Sequence, residues 1–194
     1  MAALSFIVNR KMAEKMRAQR ESLWPHVQDD ELWMPASRKG FASIPRTMPL
    51  IQKIMNDWSK NKPLSATYFA LWCRDMGLGF VTIGSEQELA LESGFTGTRA
   101  TYQWKERMKI LAQLGFIEGK AGAKGEWTHV LIWNPYKVVT RGRAVRGMQE
   151  PTWTALLGRM REIGAEDLNP AVAPVAAAVF PPLPPGASPI PPTP

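Results

Sequence analysis

Hydroxyl, cationic and aromatic side chains are concentrated in one short stretch of the sequence. The stretch comprises Thr98, Arg99, Thr101, Tyr102, Lys105 and Lys109. Arginine can pair with guanine through two hydrogen bonds, and threonine can meet a base with its hydroxyl or thymine with its methyl group. We expect Tyr102 and Lys105 to contact the phosphate backbone. These residues are therefore candidates for a DNA-binding surface.

More cations follow downstream. Lys120 and Lys124 lie in the run GKAGAKG, whose glycines permit close approach to a sugar-phosphate wall. After Tyr136, a basic track continues without an acid as far as Glu150, and it contains Arg141, Arg143 and Arg146. Upstream, Ser85 begins a helix whose free amides suit a phosphate. The predicted DNA contacts thus come from several elements.

Two helices and a hairpin must position these side chains. Residues 85–88 read SEQE, which is a capping box that starts a short helix ending at Ser93-Gly94. Thr98 is the predicted N-cap of the next helix, whose buried stripe comprises Trp104, Met108, Leu111 and Leu114. Gly115 ends that helix. A hairpin follows, with strands at 116–118 and 127–133 and a flexible basic tip at 119–125.

Two upstream helices are expected to support this unit. Thr47 caps a helix to about Lys60 that tolerates Pro49 in its first turn. Ser65 caps a second helix to about Met76, which is so apolar that we expect it to be buried at the centre. Its cysteine, Cys73, is expected to be a core residue. Residues 80–83 then predict a short strand.

The first 46 residues are a basic helix (1–22) and an irregular segment (23–46). The helix is either solvated or an arm that binds phosphates. The irregular segment contains Trp24, Trp33 and Phe41, and large apolar rings in a loop are expected to anchor it to the core.

The C-terminal part is divided into a basic linker with a short helix at 153–163, within 141–168, and a Pro/Ala-rich tail at 169–194. The tail carries no charged residue, so we expect it to be disordered. It is either inert or a docking segment, through residues 180–185 (FPPLPP), for a protein partner with an aromatic groove.

Composition points to a polyanion partner. The formal net charge is +7 and the pI about 9.8, which favours nucleic acid. One cysteine and two distant histidines, His26 and His129, do not make a zinc site, and we expect no cofactor, metal or catalytic residue. No apolar run is long enough for a membrane span, so we expect a cytoplasmic, nucleoid-associated protein.

The run TGTRATYQWKERMKILAQLGFIEGK, followed by GEWTHVLIWNPYKVV, resembles the recognition helix, wing and closing strand of bacterial winged helix-turn-helix DNA-binding proteins. The resemblance covers about residues 64–139. This region is similar to the winged helices of plasmid replication-initiator and regulator proteins. It implies a mainly α fold with a small β-hairpin wing (α+β), sequence-specific binding and often a homodimer. Many initiators have two such units where this chain has one, which favours a regulator or accessory protein.

The predicted architecture is a winged helix at 47–140, preceded by extra N-terminal helical structure (1–46) and followed by the linker and tail. The predicted function is sequence-specific binding of double-stranded DNA, as a transcriptional regulator or a plasmid replication or maintenance factor. The alternative is a protein-interaction scaffold that uses the same unit and the proline-rich tail. An enzyme is not expected, because neither histidine lies in a catalytic motif and no Walker-type loop is present.

Overall fold

The computed structural model describes residues 2–34, 39–165 and 167, with side chains from residue 11 onward. The chain divides into two compact units, Met1–Phe41 and Ala42–Pro194. The described residues form seven α-helices and one three-stranded antiparallel sheet, so the fold is a mixture of α and β structure. The tail at 169–194, with its predicted disorder, lies outside the described residues.

The first unit contains one long helix and a single 3-10 turn. Helix α1 spans Ala2–Leu23, in agreement with the predicted helix, and the turn spans Asp29–Glu31. The expectation that the rings of Trp24, Trp33 and Phe41 anchor this segment to a core is wrong, because each residue is more than half exposed. Trp33 and Phe41 instead meet each other edge to face, with ring centroids 6.1 Å apart.

The second unit contains all the elements of the predicted site. In chain order they are α2 (Met48–Trp58), α3 (Ser65–Arg74), β1 (Phe80–Thr82), α4 (Glu86–Glu92), α5 (Ala100–Leu114), β2 (Ile117–Gly122), β3 (Gly125–Ile132), α6 (Pro135–Arg146) and α7 (Glu150–Ile163). Helices α2 to α5 and α7 occur where the sequence predicts helices. Helix α6 was not predicted.

Two helix starts differ from the prediction because tertiary contacts replace the local caps. Thr47 occupies the N-cap position of α2, but its hydroxyl is bonded to the Tyr136 hydroxyl at 2.6 Å instead of capping the helix. The N-cap of α3 is Leu64 and not Ser65. Asn56 of α2 organises this start: its Oδ1 accepts from the Leu64 amide at 2.7 Å, and its Nδ2 donates to Ser65 Oγ at 2.6 Å.

The core forms around the buried side of α5. Its predicted stripe is confirmed, since the four stripe residues are all buried: Trp104, Met108, Leu111 and Leu114. Phe116, directly after the helix, is also buried and meets Tyr68 of α3 edge to face at 5.5 Å. The 3.6-residue apolar period therefore identified the face of α5 that is removed from water.

Helix α3 is buried along one side only. Tyr68 and Leu71 are fully buried, whereas Phe69 is 45% exposed and Cys73 is also exposed. The predictions of a centrally buried helix and of a core cysteine are therefore wrong. A helix has 3.6 residues per turn, so a continuous apolar run must place some of its residues on the side that faces solvent.

The sheet has the strand order β1-β3-β2, and both pairings are antiparallel. Strand β1 confirms the predicted strand near residue 80, and Phe80 lies opposite Leu131. Strands β2 and β3 form the predicted hairpin. Its tip is shorter than predicted, because β2 continues to Gly122 and β3 begins at Gly125.

Helix α6 begins where the sequence predicts only the end of a strand. The Asn134 side-chain oxygen accepts hydrogen bonds from the amides of Tyr136 and Lys137, at 2.9 and 3.4 Å. Pro135 occupies the first turn, where its missing N–H costs no hydrogen bond. The helix runs through position 140, so residues 141–146, predicted as linker, are helical.

Helix α7 begins at Glu150, three positions before the predicted start at residue 153. Its buried side includes Leu156 and Met160, which belong to the same core as the residues of α2. The second unit thus extends beyond the predicted boundary at residue 140.

Candidate nucleic-acid interface

The first turn of α5 is the exposed end of the helix predicted to contact bases. The N-cap is Arg99 and not the predicted Thr98, and no side chain caps the helix by a hydrogen bond. The preceding turn, with Gly97 in the left-handed region at φ 79°, makes a tight connection to α4. Thr98 and Arg99 are exposed and Thr101 is half-buried, so hydroxyl and guanidinium groups are presented together at this end.

Arg99 lies over the ring of Tyr102, with its guanidinium carbon 5.5 Å from the ring centroid. This cation–π contact holds the two side chains against each other on the surface, because Tyr102 is itself 56% exposed. Among the described residues, no carboxylate forms a salt bridge with Arg99. Its charge is therefore available to an external anion.

Lys105 is less available than the sequence suggests. Its Nζ lies 2.7 Å from Oε2 of Glu86, in the first turn of α4, and that carboxylate side chain is only 15% exposed. An acid is favoured there because the first helical amides are unpaired. Glu86 also lies beside the hairpin, since a Cβ built on Gly125 would be 2.8 Å from its Oε1. One carboxylate thus contacts α5 and adjoins the hairpin.

Lys109 has a looser partner. Its Nζ lies 3.9 Å from Oε2 of Glu126 at the start of β3, and both side chains are more than half exposed. A pair of this length and exposure contributes little to stability. Its geometric consequence is larger, because it places the hairpin beside the flank of α5 that bears Lys105 and Lys109.

A threonine forms hydrogen bonds with the backbone of the hairpin tip. The Lys124 amide donates to Thr128 Oγ1 at 3.2 Å, and that hydroxyl donates to the Gly125 carbonyl at 2.8 Å. Only Ala123 and Lys124 form the turn, so the tip is shorter than the predicted span of 119–125. Lys120 and Lys124 are both exposed, as expected for phosphate contacts.

Two glycines of the hairpin serve packing. A Cβ on Gly119 would lie 2.4 Å from the Trp127 ring, and one on Gly122 would lie 2.8 Å from Thr128. These glycines allow side chains of the neighbouring strand to cross the hairpin. The prediction assigned them instead to close approach of a sugar-phosphate wall.

Ser85 has a structural task at the start of α4. Its Oγ accepts a hydrogen bond from the Glu88 amide at 3.3 Å, which is the first half of the predicted capping box. The Glu88 carboxylate lies 3.4 Å from the Arg74 guanidinium. Ser85 is half-buried, and it adjoins Glu86, whose negative charge disfavours a phosphate at this helix start.

The three downstream arginines make contacts within the protein. Arg143 pairs with Glu150 at 2.8 Å and lies over the Trp153 ring at 4.5 Å. Arg141 lies against Gly115, since a Cβ there would be 2.9 Å from its Nη2. These contacts join α6 to α7 and to the C-terminal end of α5.

Arg146 has a similar role. It donates to the Gln113 carbonyl at 3.2 Å and lies over the Trp58 ring. Burial, together with the charge of Arg141, lowers the pKa of Arg146. Gln113 is roughly 20 Å along α5 from Arg99 at 1.5 Å per residue, so the structure does not bring Arg146 together with the first turn of α5.

The cations of this surface were predicted from the sequence, whereas its acids were not. Glu86 and Glu126 are the partners of Lys105 and Lys109, and each pair joins two different elements. A signal for Glu86 was present, because it follows a serine cap and an acid is favoured in a first turn. The position of Glu126 depends on the hairpin register, which the sequence did not specify.

Among the residues that the structure describes, no group of three or more His, Cys, Asp or Glu side chains is placed to hold a metal ion. Within the same ranges, no helix combines the length and apolar character needed to cross a membrane. No family model, curated protein or solved structure matches the chain.

Proposed function

We propose that this chain is a sequence-specific double-stranded DNA-binding protein of the winged-helix type. The order α3, β1, α4, α5, β2 and β3, with the first strand paired to the third, supports this assignment of the fold. In it, α5 is the recognition helix and the β2–β3 hairpin is the wing. The net charge of +7 supports a polyanionic partner.

The proposal rests on one surface, where an exposed flank of α5 lies beside the β2–β3 hairpin. Arg99, Tyr102, Lys105 and Lys109 recur at spacings of three and four on α5, so they share one helical face. The contact of Lys109 with Glu126 of β3 lies between this face and the hairpin, and Glu86, the partner of Lys105, adjoins Gly125 of the same hairpin.

In the proposed complex, the first turn of α5 enters the major groove, where Arg99 and Thr98 meet base edges. Lys120 and Lys124 of the hairpin bind phosphates. Lys105 exchanges the Glu86 carboxylate for a phosphate, so binding opens one salt bridge. The protein would then act by occlusion or recruitment at an operator, as a transcriptional regulator or a plasmid replication or maintenance factor.

Selection of bound duplexes from a random pool supplies the operator for the test. We expect Arg99→Ala to abolish discrimination between the operator and random duplex, because a bidentate contact to guanine is lost. Lys124→Ala should weaken binding to both duplexes equally and reduce the salt slope by about one. Arg161→Ala, which removes an exposed cation from α7, is the control and should change neither. An Arg99→Ala variant with parental operator affinity would refute the assignment of the recognition helix.

A second candidate function is protein binding, which the outer face of the sheet favours. Phe80 and Leu131 are both more than a third exposed on adjacent strands, and the His129 ring stacks on Phe80 with centroids 6.0 Å apart. They line a mainly apolar hollow of about 160 Å³. An electrophoretic mobility shift assay distinguishes the two functions. A basic DNA-binding protein binds even random duplex at about 50 mM salt and therefore retards it. Absence of any retardation there favours protein binding.

A further inference from the structure

A second surface of the protein is an open groove lined by rings. It has a volume of about 380 Å³ and lies where α3, the end of β3 and the start of α6 meet. Its apolar lining includes Pro45, Trp72, Ile132, Trp133 and Pro135. Both tryptophans are half-buried, so parts of their surfaces remain accessible. No cation is present among the described lining residues, so the groove does not suit nucleic acid.

Grooves of aromatic and prolyl rings are suited to proline-rich peptides. Such peptides adopt the extended polyproline II conformation, and their rings pack between aromatic side chains at a low cost in entropy. Gly79 contributes backbone to this lining, and its carbonyl is already bonded to the Ile132 amide at 2.8 Å. Specificity for an occupant must therefore come mainly from the apolar rings.

A proline-rich segment of the same chain follows a residue that lines the groove. Asp167 lines the groove, and Asn134 Nδ2 donates to its carboxylate at 3.2 Å. All residues after Asp167 are uncharged, and they include the run FPPLPP at 180–185. Phe180 follows Asp167 by thirteen positions, which can span up to about 40 Å when extended. The segment is thus uncharged, proline-rich and tethered at the groove.

We propose that residues 180–185 bind in this groove of their own chain. Phe180 and Leu183 supply the apolar side chains that pack against Trp72 and Trp133, and the prolines keep the segment extended. Tethering raises the effective concentration of the segment to the millimolar range. The groove is therefore a proline-rich-ligand site that the tail occupies, and an external proline-rich ligand must displace the tail to bind.

Paramagnetic relaxation in the full-length chain tests the proposal. A nitroxide is attached at Ala187→Cys in a Cys73→Ser background, because Cys73 is the only native cysteine. The indole N–H signals of Trp72 and Trp133, assigned by single Trp→Phe variants, report proximity of the label. Docking predicts strong broadening of both signals.

Two variants distinguish docking of the tail in the groove from random encounters between the groove and a tethered tail. Phe180→Ala combined with Leu183→Ala should reduce the broadening several-fold, to the level of an undocked tail. The control Ile190→Ala, outside the segment, should leave it unchanged. Equal broadening in the double variant and the parent would overturn the proposal, as would absence of broadening in the parent.

The same label identifies the source of the segment. A spin-labelled chain without ¹⁵N is mixed with a ¹⁵N-labelled chain that carries no nitroxide. Broadening in this mixture means that the tail of a second copy occupies the groove, which would contradict docking within one chain. Docking within the chain predicts no broadening in the mixture.

Discussion

Replacement of Gly142 by alanine tests how α6 packs on α2. Gly142 is buried in the interior of α6, and a Cβ at this position would lie 2.4 Å from the ring of Trp58. That ring cannot move freely, because its Nε1 donates to the Gly147 carbonyl at 2.9 Å and the Arg146 guanidinium lies over it. The added methyl group must therefore displace a held ring or separate two helices.

The expected free-energy change combines two opposing effects. Alanine is favoured over glycine inside a helix by roughly 1 kcal/mol. Overpacking of a filled site costs roughly 1–3 kcal/mol, and a further ~1 kcal/mol is lost if the Trp58 hydrogen bond breaks. We therefore expect Gly142→Ala to lower the free energy of unfolding by about 1–3 kcal/mol.

Gly158→Ala is the matched control. Gly158 also lies inside a helix, α7, but nothing lies within 4 Å of the position of its added Cβ. The same substitution should raise the free energy of unfolding there by up to about 1 kcal/mol. Urea unfolding followed by far-ultraviolet circular dichroism measures both variants. A Gly142→Ala variant as stable as Gly158→Ala would refute the packing of α6 on Trp58.

Three other substitutions test the site, a buried hydrogen bond and a buried phenol. Glu86→Gln removes the carboxylate that Lys105 must leave on binding, so duplex affinity should rise in a binding titration while the salt slope stays near that of the parent, because the number of phosphate contacts is unchanged. Thr47→Val leaves the Tyr136 hydroxyl without its partner and should cost about 1–3 kcal/mol in urea unfolding. Burial raises the pKa of Tyr68, so above about pH 10 only the unfolded chain releases this proton and stability falls as the pH rises. Tyr68→Phe should make that alkaline decline shallower; an unchanged pH profile would contradict burial of the phenol.

The helices and strands that follow from local sequence patterns were predictable. The period of Trp104, Met108 and Leu111 identified the buried face of α5, and Gly115 ends the helix with φ at 84° as a C-cap. Helix α6 was not predictable in the same way. Asn134-Pro135 can end a strand or cap a helix, and the helix is favoured by tertiary packing, in which Val138 and Val139 are buried in the core and Gly142 lies against Trp58.

The cations of the candidate site were predictable from the sequence, but the residues around them were not. Thr98, Arg99, Lys120 and Lys124 are exposed, as their types and positions suggested. The partner of Lys105 could not be predicted, because Glu86 meets it only after α4 has packed against α5. For the same reason, Arg141, Arg143 and Arg146 resembled a continuous basic track although their contacts join helices within the protein.

The salt dependence of duplex binding by the full-length chain tests the central claim most directly. The three cations that bind phosphates in the proposed complex, Lys105, Lys120 and Lys124, should give a slope of log affinity against log salt of about −3. Replacement of all three by alanine should abolish this slope and most of the affinity. The control replaces Arg46, Lys53 and Arg161, which removes the same net charge elsewhere and should leave the slope near that of the parent. Equal loss in the two triple variants, or no duplex binding by the parent, would contradict the account.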